Sequence, residues 1–239
     1  MVRMRPEYRR RLTRGGCPQN WGFLCTRSLL ACLLLAALFA PPVLAQPSVN
    51  ARLVAAAREG DQAGVTRALA DGAAPNSRNR LGETALLIAL KNNRPELARQ
   101  MIAAGTDVNL AAVNGVTPLM AAAHAGYTDI ARSLLAKGAD IAAVDRLKKN
   151  AMTYAAGQGQ TEIVRLLLSA GVDPNAVYEH SLTALMWAAG YGHSDTVKAL
   201  LTAGARVDFR DDRGKTALDI AREGNFGETV KLLETAPKG

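Results

Sequence analysis

The chain has 239 residues, room for one or two ordinary domains, and its 49% hydrophobic content is that of a globular protein. Aromatic residues supply only 5%, and Ala and Leu fill the shortfall, which favours closely stacked helices over a sheet. The formal net charge of +8 is concentrated in residues 1–45, which hold seven Lys/Arg and one Glu against 22 basic and 20 acidic residues in the remainder, so composition gives little support for binding nucleic acid.

In chain order, residues 1–45 read as a signal peptide. A positive stretch (Arg3, Arg5, Arg9, Arg10, Arg11, Arg14, Arg27) precedes an apolar run from Leu29 to Ala40, and Val43-Leu44-Ala45 offers a cleavage site after Ala45. The run is too short to cross a bilayer, which needs roughly 20 residues, and Pro41 and Pro42 end it. A retained single-span anchor is the alternative, and the long positive stretch leaves a start codon downstream of Met1 open. Cys32 lies too early in the apolar run for a lipoprotein box, and Arg9-Arg10-Arg11 lies too far ahead of it for a twin-arginine signal. The expected location is periplasmic or secreted, without stable membrane insertion once the leader is removed. Cys17, Cys25 and Cys32 all fall in the leader, so residues 46–239 have no thiol for a disulfide or a metal.

Residues 46–239 are organised by a repeat. Gly72, Gly105, Gly138, Gly171 and Gly204 are 33 apart without an insertion. In phase with them run Ala56, Ala89, Ala122, Ala155, Ala188 and Ala221, then Leu53, Leu86, Leu119, Met152, Leu185 and Leu218, then Thr84, Thr117, Asn150, Thr183 and Thr216. The Thr/Asn column predicts N-caps, with Pro118 at the first helical position after one of them. A short Ala-rich helix follows, a turn at Gly60, Gly126, Gly159 and Gly192, then a second helix with an acid in its first turn (Glu96, Asp129, Glu162, Asp195, Glu228). The 33-spaced Gly ends that helix in a left-handed conformation. Six units are expected, at about 47–78, 79–111, 112–144, 145–177, 178–210 and 211–237. A unit of 33 residues is below the roughly 40 that usually fold unaided, so the units must stabilise one another as a single array. The ends look like caps, with Ala51-Arg52 in place of the capping pair and Glu234 where inner units carry Leu.

Gly115-Val116-Thr117-Pro118-Leu119, Ala121-Ala122, Gly126, Leu134-Leu135 and Gly138-Ala139-Asp140 resemble the ankyrin repeat, over about residues 50–236. The resemblance implies an all-α solenoid of helix-turn-helix units joined by β-hairpin-like loops. It also implies a non-enzymatic protein-binding role. The His usual after Thr-Pro-Leu is replaced by Leu87, Met120, Thr153, Met186 and Asp219, which puts that buried hydrogen bond, not the fold, in question.

No catalytic or metal constellation is expected, and no cofactor. His124, His180 and His193 are the only histidines and lack metal or triad spacing; the resemblance gives His193 a structural role. Gly214-Lys215-Thr216 mimics the end of a phosphate loop, but Phe209 stands where its first Gly is required. Trp187 and Tyr154 share a column with Ile88 and Ile220, so they are expected in the core between helices.

The resemblance points to hairpin tips and the outward edges of first helices as a concave binding face. Carried over by position, it comprises Arg80, Leu81, Glu83, Lys91 and Asn92 of the second unit, then Val113, Asn114, Val116 and His124 of the third. Arg146, Leu147, Lys149 and Gln158 come from the fourth, Tyr178, Glu179, His180, Leu182 and Tyr191 from the fifth, and Arg213 and Lys215 from the sixth. Leu81, Val113, Val116, Leu147, Tyr178, Leu182 and Tyr191 are expected to form an apolar strip along it, with Tyr178 and Tyr191 as anchors; the alternative is that some of them pack between neighbouring hairpins. The expected function is a monomeric adaptor outside the cytoplasm binding one protein of unknown identity. A secreted effector or inhibitor of a foreign protein is the alternative.

Overall fold

The computed structural model of the protein describes residues 47–237. They form six helix pairs: α1 (Val49–Glu59) with α2 (Gln62–Ala70), α3 (Ala85–Lys91) with α4 (Pro95–Ala103), and α5 (Pro118–Ala125) with α6 (Thr128–Ala136). Then come α7 (Ala151–Gly157) with α8 (Thr161–Ser169), α9 (Ala184–Gly190) with α10 (Ser194–Thr202), and α11 (Ala217–Glu223) with α12 (Gly227–Thr235). The expected all-α solenoid is what the chain forms; the extended loops between pairs show only two isolated antiparallel bridges among the described residues, Arg78 with Thr84 and Val177 with Thr183. The leader, residues 1–45, lies outside the described residues.

First helices start where the sequence places a cap. The side chains of Thr84, Thr117, Asn150, Thr183 and Thr216 each accept a hydrogen bond from the amide three residues on. The column that lacks the usual His returns the favour in three units. Met120 Sδ, Thr153 Oγ1 and Asp219 Oδ2 accept from the amides of Thr117, Asn150 and Thr216, closing reciprocal caps. The first unit differs from expectation: Ser48, not the Ala51 column, caps α1 by accepting from the Ala51 amide, and the helix gains a turn. Extending the helix satisfies backbone groups that a loop would leave to water.

Two columns of left-handed backbone punctuate each pair. Between helices they are Gly60, Gly126, Gly159 and Gly192, with Asn93 and Asn225 taking the same place at φ 55° and 57°. Asn is the non-Gly residue that tolerates this region best, which is why the turn survives without Gly. After the second helix they are Gly72, Gly105, Gly138, Gly171 and Gly204, at φ from 79° to 96°. A Cβ at any of these five would meet no atom within 4 Å, so handedness, not space, is what demands Gly there.

The core is one row of first helices backed by the second. Leu53, Leu86, Leu119, Met152 and Leu185 are at most 1% exposed. Ala89, Ala122, Ala155, Ala188 and Ala221 are fully closed, their methyl groups setting the approach of successive first helices. First helices touch each other more extensively than second helices do. At the far end Leu218 and Ile220 are only half-buried. Loops are bracketed across units by Asn76, Asn109 and Asn175, whose Oδ1 atoms accept from the amides of Asp107, Asp140 and Arg206 at 2.8–2.9 Å. In the loop that leads into the fourth hairpin this column is Ala142, which can make no such bracket to the loop that leads into the fifth.

Leu167 is fully enclosed, so Leu167→Ala should lower unfolding free energy by about 2–5 kcal/mol, whereas exposed Arg132→Ala should stay within about 0.5 kcal/mol; urea titration distinguishes them. At Gly138 the cost is conformational alone: Gly138→Ala should destabilise by about 1–2 kcal/mol and Gly138→Asn by less, measured the same way.

Candidate functional site

Three hairpin tips are clamped by one side chain at the base, whereas the third has Ala112 in that column and only Asn114 Oδ1 accepting from the Val116 amide at 3.2 Å. Asn79 Oδ1 accepts from the amides of Leu81 and Glu83, Asp145 Oδ1 from Leu147 and Lys149, and Asp211 Oδ1 from Arg213 and Lys215, all at 2.8–2.9 Å. Such clamps are what Asn and Asp do in turns. They hold the flanking side chains outward. Asp211 is buried, which raises the cost of its charge, yet the Lys215 and Arg213 amides and the Arg213 guanidinium outweigh that and hold its carboxyl below the usual range.

The fifth tip also lacks the clamp and departs further. Tyr178 stands in the clamp column and offers no acceptor to the tip amides. His180 and Ser181 are both left-handed, at φ 59° and 58°, and residues Glu179–Ser181 turn as a single 3₁₀ stretch.

Successive tips are joined by backbone hydrogen bonds: Val113 donates to the Leu81 carbonyl (2.8 Å), Arg146 to Asn114 (3.0 Å), and Asp212 to His180 (3.1 Å). Among the described residues no equivalent bond joins Glu179 to Leu147. The tips therefore form one joined group over units two to four and another over units five and six.

The residues named from the sequence fall as follows. Arg80, Leu81, Lys91, Asn92, Val113, Asn114, His124, Arg146, Leu147, Gln158, Glu179, His180, Tyr191 and Arg213 are exposed. Lys149 and Lys215 are half-buried at the foot of the tips. Val116, Tyr178 and Leu182 are half-buried and pack against the core. These three do not stand out from the face as Leu81, Leu147 and Tyr191 do. Glu83 is buried, because its carboxylate bonds Asn79 Nδ2 and pairs with Lys91. Burial disfavours its charge, but Lys91 and Asn79 outweigh burial and hold its carboxyl below the usual range.

The Glu83–Lys91 pair recurs with reversed signs four units on, as Lys215 with Glu223 in the same two columns. In the fourth unit these columns hold Lys149 and Gly157, so Lys149 has no carboxylate to meet. Its ammonium instead lies 4.5 Å from the Trp187 ring centroid and 5.9 Å from that of Tyr154. Trp187 and Tyr154 are thus half-buried at the surface edge, not enclosed in the core. Tyr191 stacks on Trp187 and on His193, and His124 meets Tyr154 edge-on, giving an aromatic row across three first helices. Burial first, then the hydrogen bond and charge of Asp145 (2.6 Å), push the Tyr154 hydroxyl well above its usual range. His193 contacts the Gly157 carbonyl through Nε2 at 3.1 Å, a bond between neighbouring units that fits the structural role. Thr216 is occupied as a cap, which leaves the Gly214-Lys215-Thr216 mimic no free hydroxyl.

Sequence reasoning missed Val144 and Val177, both exposed on hairpin strands. They share one column, ahead of the clamp, and that column was the available signal. Large exposed hydrophobics are Leu81, Val113, Val144, Leu147, Val177 and Tyr191, and every one lies on a hairpin or at the end of a first helix. Among the described residues no group of three or more His, Cys, Asp or Glu could hold a metal, and no helix is long and apolar enough to cross a membrane.

Stacked helix pairs with a fixed frame and outward hairpins define a helical solenoid, a class in which each module contacts only its neighbours. The chain belongs to the ankyrin-repeat family: the family model described as Ankyrin repeats (3 copies) matches residues 53–145, 96–178 and 152–237. The crystal structure of EF0377, an ankyrin repeat protein, superposes with a TM-score of 0.70 at 31% identity, covering 79% of this chain and 98% of that one. The human mitochondrial disaggregase is 38% identical over 93 residues, 38% of this chain and 13% of that protein, and the bovine one 43% over 63 residues, 26% and 9%. The chain thus spans less than a seventh of the length of these relatives. Ankyrin repeats generally mediate protein–protein interaction and are typically non-catalytic scaffolds.

Because the Glu83 carboxyl is depressed, its stabilisation is present above the ordinary carboxylate range and is lost as pH falls through the lower folded value. Glu83→Gln should therefore lower the melting temperature at neutral pH and flatten its further fall between about pH 5 and 3, read by circular dichroism.

Proposed function

We propose that this protein is an exported, monomeric, non-catalytic adaptor that binds one partner protein through the face made by its hairpin tips and first helices. The observation that carries this reading is the one-sided distribution of exposed large apolar side chains. A free monomer spreads such residues over its surface unless a patch is in use. Here they gather on one face, rimmed by Arg80, Arg146, Lys148 and Arg213, the arrangement of an apolar centre with a charged border. Tyr191, 57% exposed and stacked on Trp187, is the best-placed anchor. The location outside the cytoplasm rests on the three-part leader in residues 1–45, with cleavage after Ala45.

Crosslinking in the native cell followed by mass spectrometry tests this. Lys91, Lys148 and Lys149 should report a single resident protein of the cell envelope. The combined Leu81→Glu, Leu147→Glu and Tyr191→Ala variant should keep its melting temperature within a few degrees and lose at least about tenfold of that crosslink, as hot-spot removal does. Crosslinks confined to α4, α6, α8 and α10 would refute the proposed face. A partner found only in material from a foreign cell would favour the effector alternative.

A further inference from the structure

We infer that the seam between the fourth and fifth hairpins is a docking groove for an extended acidic segment of the partner protein. This deepens the reading above, since the groove lies within the same face. The seam lacks both couplings that close the others on the hairpin side. The tip-to-tip backbone bond is missing, and Ala142 replaces the bracketing Asn. The helices themselves remain tied across it, by His193 to the Gly157 carbonyl and by Thr161 Oγ1 to Thr196 Oγ1 at 2.8 Å. The units are therefore held together behind the seam and open in front of it. A cleft of about 260 Å³ results, walled by the two tips, with Trp187 and Tyr178 among its lining.

What lines the cleft selects the occupant. Arg146, Lys148 and Lys149 have no ion-pair partner among the described residues, and Glu179 is the one carboxylate in the lining. Lys149 is uncompensated for the reason given above: Gly157 stands where a unit with a closed pair carries its counter-charge. Gly157 also leaves room for the Trp187 and Tyr191 rings, which pass 3.5–3.7 Å from where its Cβ would stand. An ammonium parked on an aromatic face is readily redirected to an entering carboxylate, because a charge-assisted hydrogen bond is the stronger contact.

The backbone points the same way. The Leu147 carbonyl and the Glu179 amide, the acceptor and donor that the column assigns to this seam, make no hydrogen bond among the described residues. An extended peptide can donate to one and accept from the other, restoring the ribbon found at the neighbouring seams, as strand addition does elsewhere. Two further donors beside the cleft are unspent. Trp187 Nε1 is closed to solvent with no hydrogen-bond partner, and the Tyr178 hydroxyl faces only the Asn150 side-chain amide, a donor, which leaves the hydroxyl proton uncommitted. Packing that leaves such groups unsatisfied is packing that an acceptor can improve. Peptide is favoured over a nucleic-acid strand because the unpaired cations cluster at this seam, those of the sixth tip being spent on Asp211 and Glu223, whereas a phosphate chain needs a continuous track of them.

The test pans the full chain, its fold checked by thermal melting, against a phage-displayed library of random linear peptides. Enriched peptides should carry Asp or Glu beside apolar residues, and the affinity of a synthetic copy should fall at least about tenfold in Lys148→Glu and in Lys149→Glu. It should change less than about twofold in Lys137→Glu, a matched charge change at the end of α6, and should weaken with added salt. Enriched peptides without acids, acidic peptides indifferent to both groove variants, or no binder at all would overturn the groove. Displacement of the peptide by single-stranded DNA at equal charge concentration would also overturn it, assigning the cations to phosphate. Should binding be lost in Leu81→Glu or Tyr191→Ala but not in the groove variants, the groove is wrong and the wider face stands. Loss only in an outer-helix variant such as Arg165→Glu would remove both.

Discussion

Burial between neighbours is the constraint on which everything else in this protein rests. A pair of helices of seven to eleven residues has one apolar side to hide and nothing within its own module to hide it against. The Ala column answers that constraint. A methyl group is the largest side chain that lets first helices approach closely along the whole row, and the Leu/Met column fills the space this approach leaves. Because the side chains that seal the row point inward, the hairpin tips are relieved of any packing duty beyond their own clamps. That release permits charged and apolar residues to stand exposed side by side at the tips.

The tips show how one scaffold position can be used in several ways. In one pair of columns the second and sixth units close ion pairs of opposite polarity, while the fourth leaves a lysine without a mate. The first two uses tether a tip to its helix, and the third frees a cation to sit on aromatic rings. The same contrast separates the fifth tip from the rest. Where Asn79, Asp145 and Asp211 clamp their tips, Tyr178 turns inward against the core, and the tip folds through two left-handed residues instead. A side chain exchanged at the base of a hairpin thus changes what its apex can offer.

Much of this was legible from residue types and spacing. Five of six first-helix caps, the 33-residue frame and the buried columns follow from Thr, Ala, Leu and Gly recurring in phase, since each type has one dominant physical reason to be where it is. Ser48 escaped because the first module breaks the frame at its cap. Asn93 and Asn225 escaped because a search for Gly does not see a residue that merely tolerates the same backbone region. The candidate face was legible only by position. Which of its members protrude depends on partners that no periodicity encodes: Glu83 withdraws because Asn79 and Lys91 are at hand, and Tyr178 and Leu182 withdraw because the core receives them. Trp187 and Tyr154, placed in the core by their column, lie half-buried at the surface edge, where Gly157 gives Trp187 and Tyr191 room and Lys149 draws alongside both column members.

The five glycines that close the second helices have empty space where a side chain would stand. Evolution therefore meets a demand of chirality at these points and none of volume. Homologous drift there should be confined to achiral or amide residues however far the surrounding helices diverge. A synthetic chain bearing D-alanine at the same places would find both the room and the handedness already waiting for it.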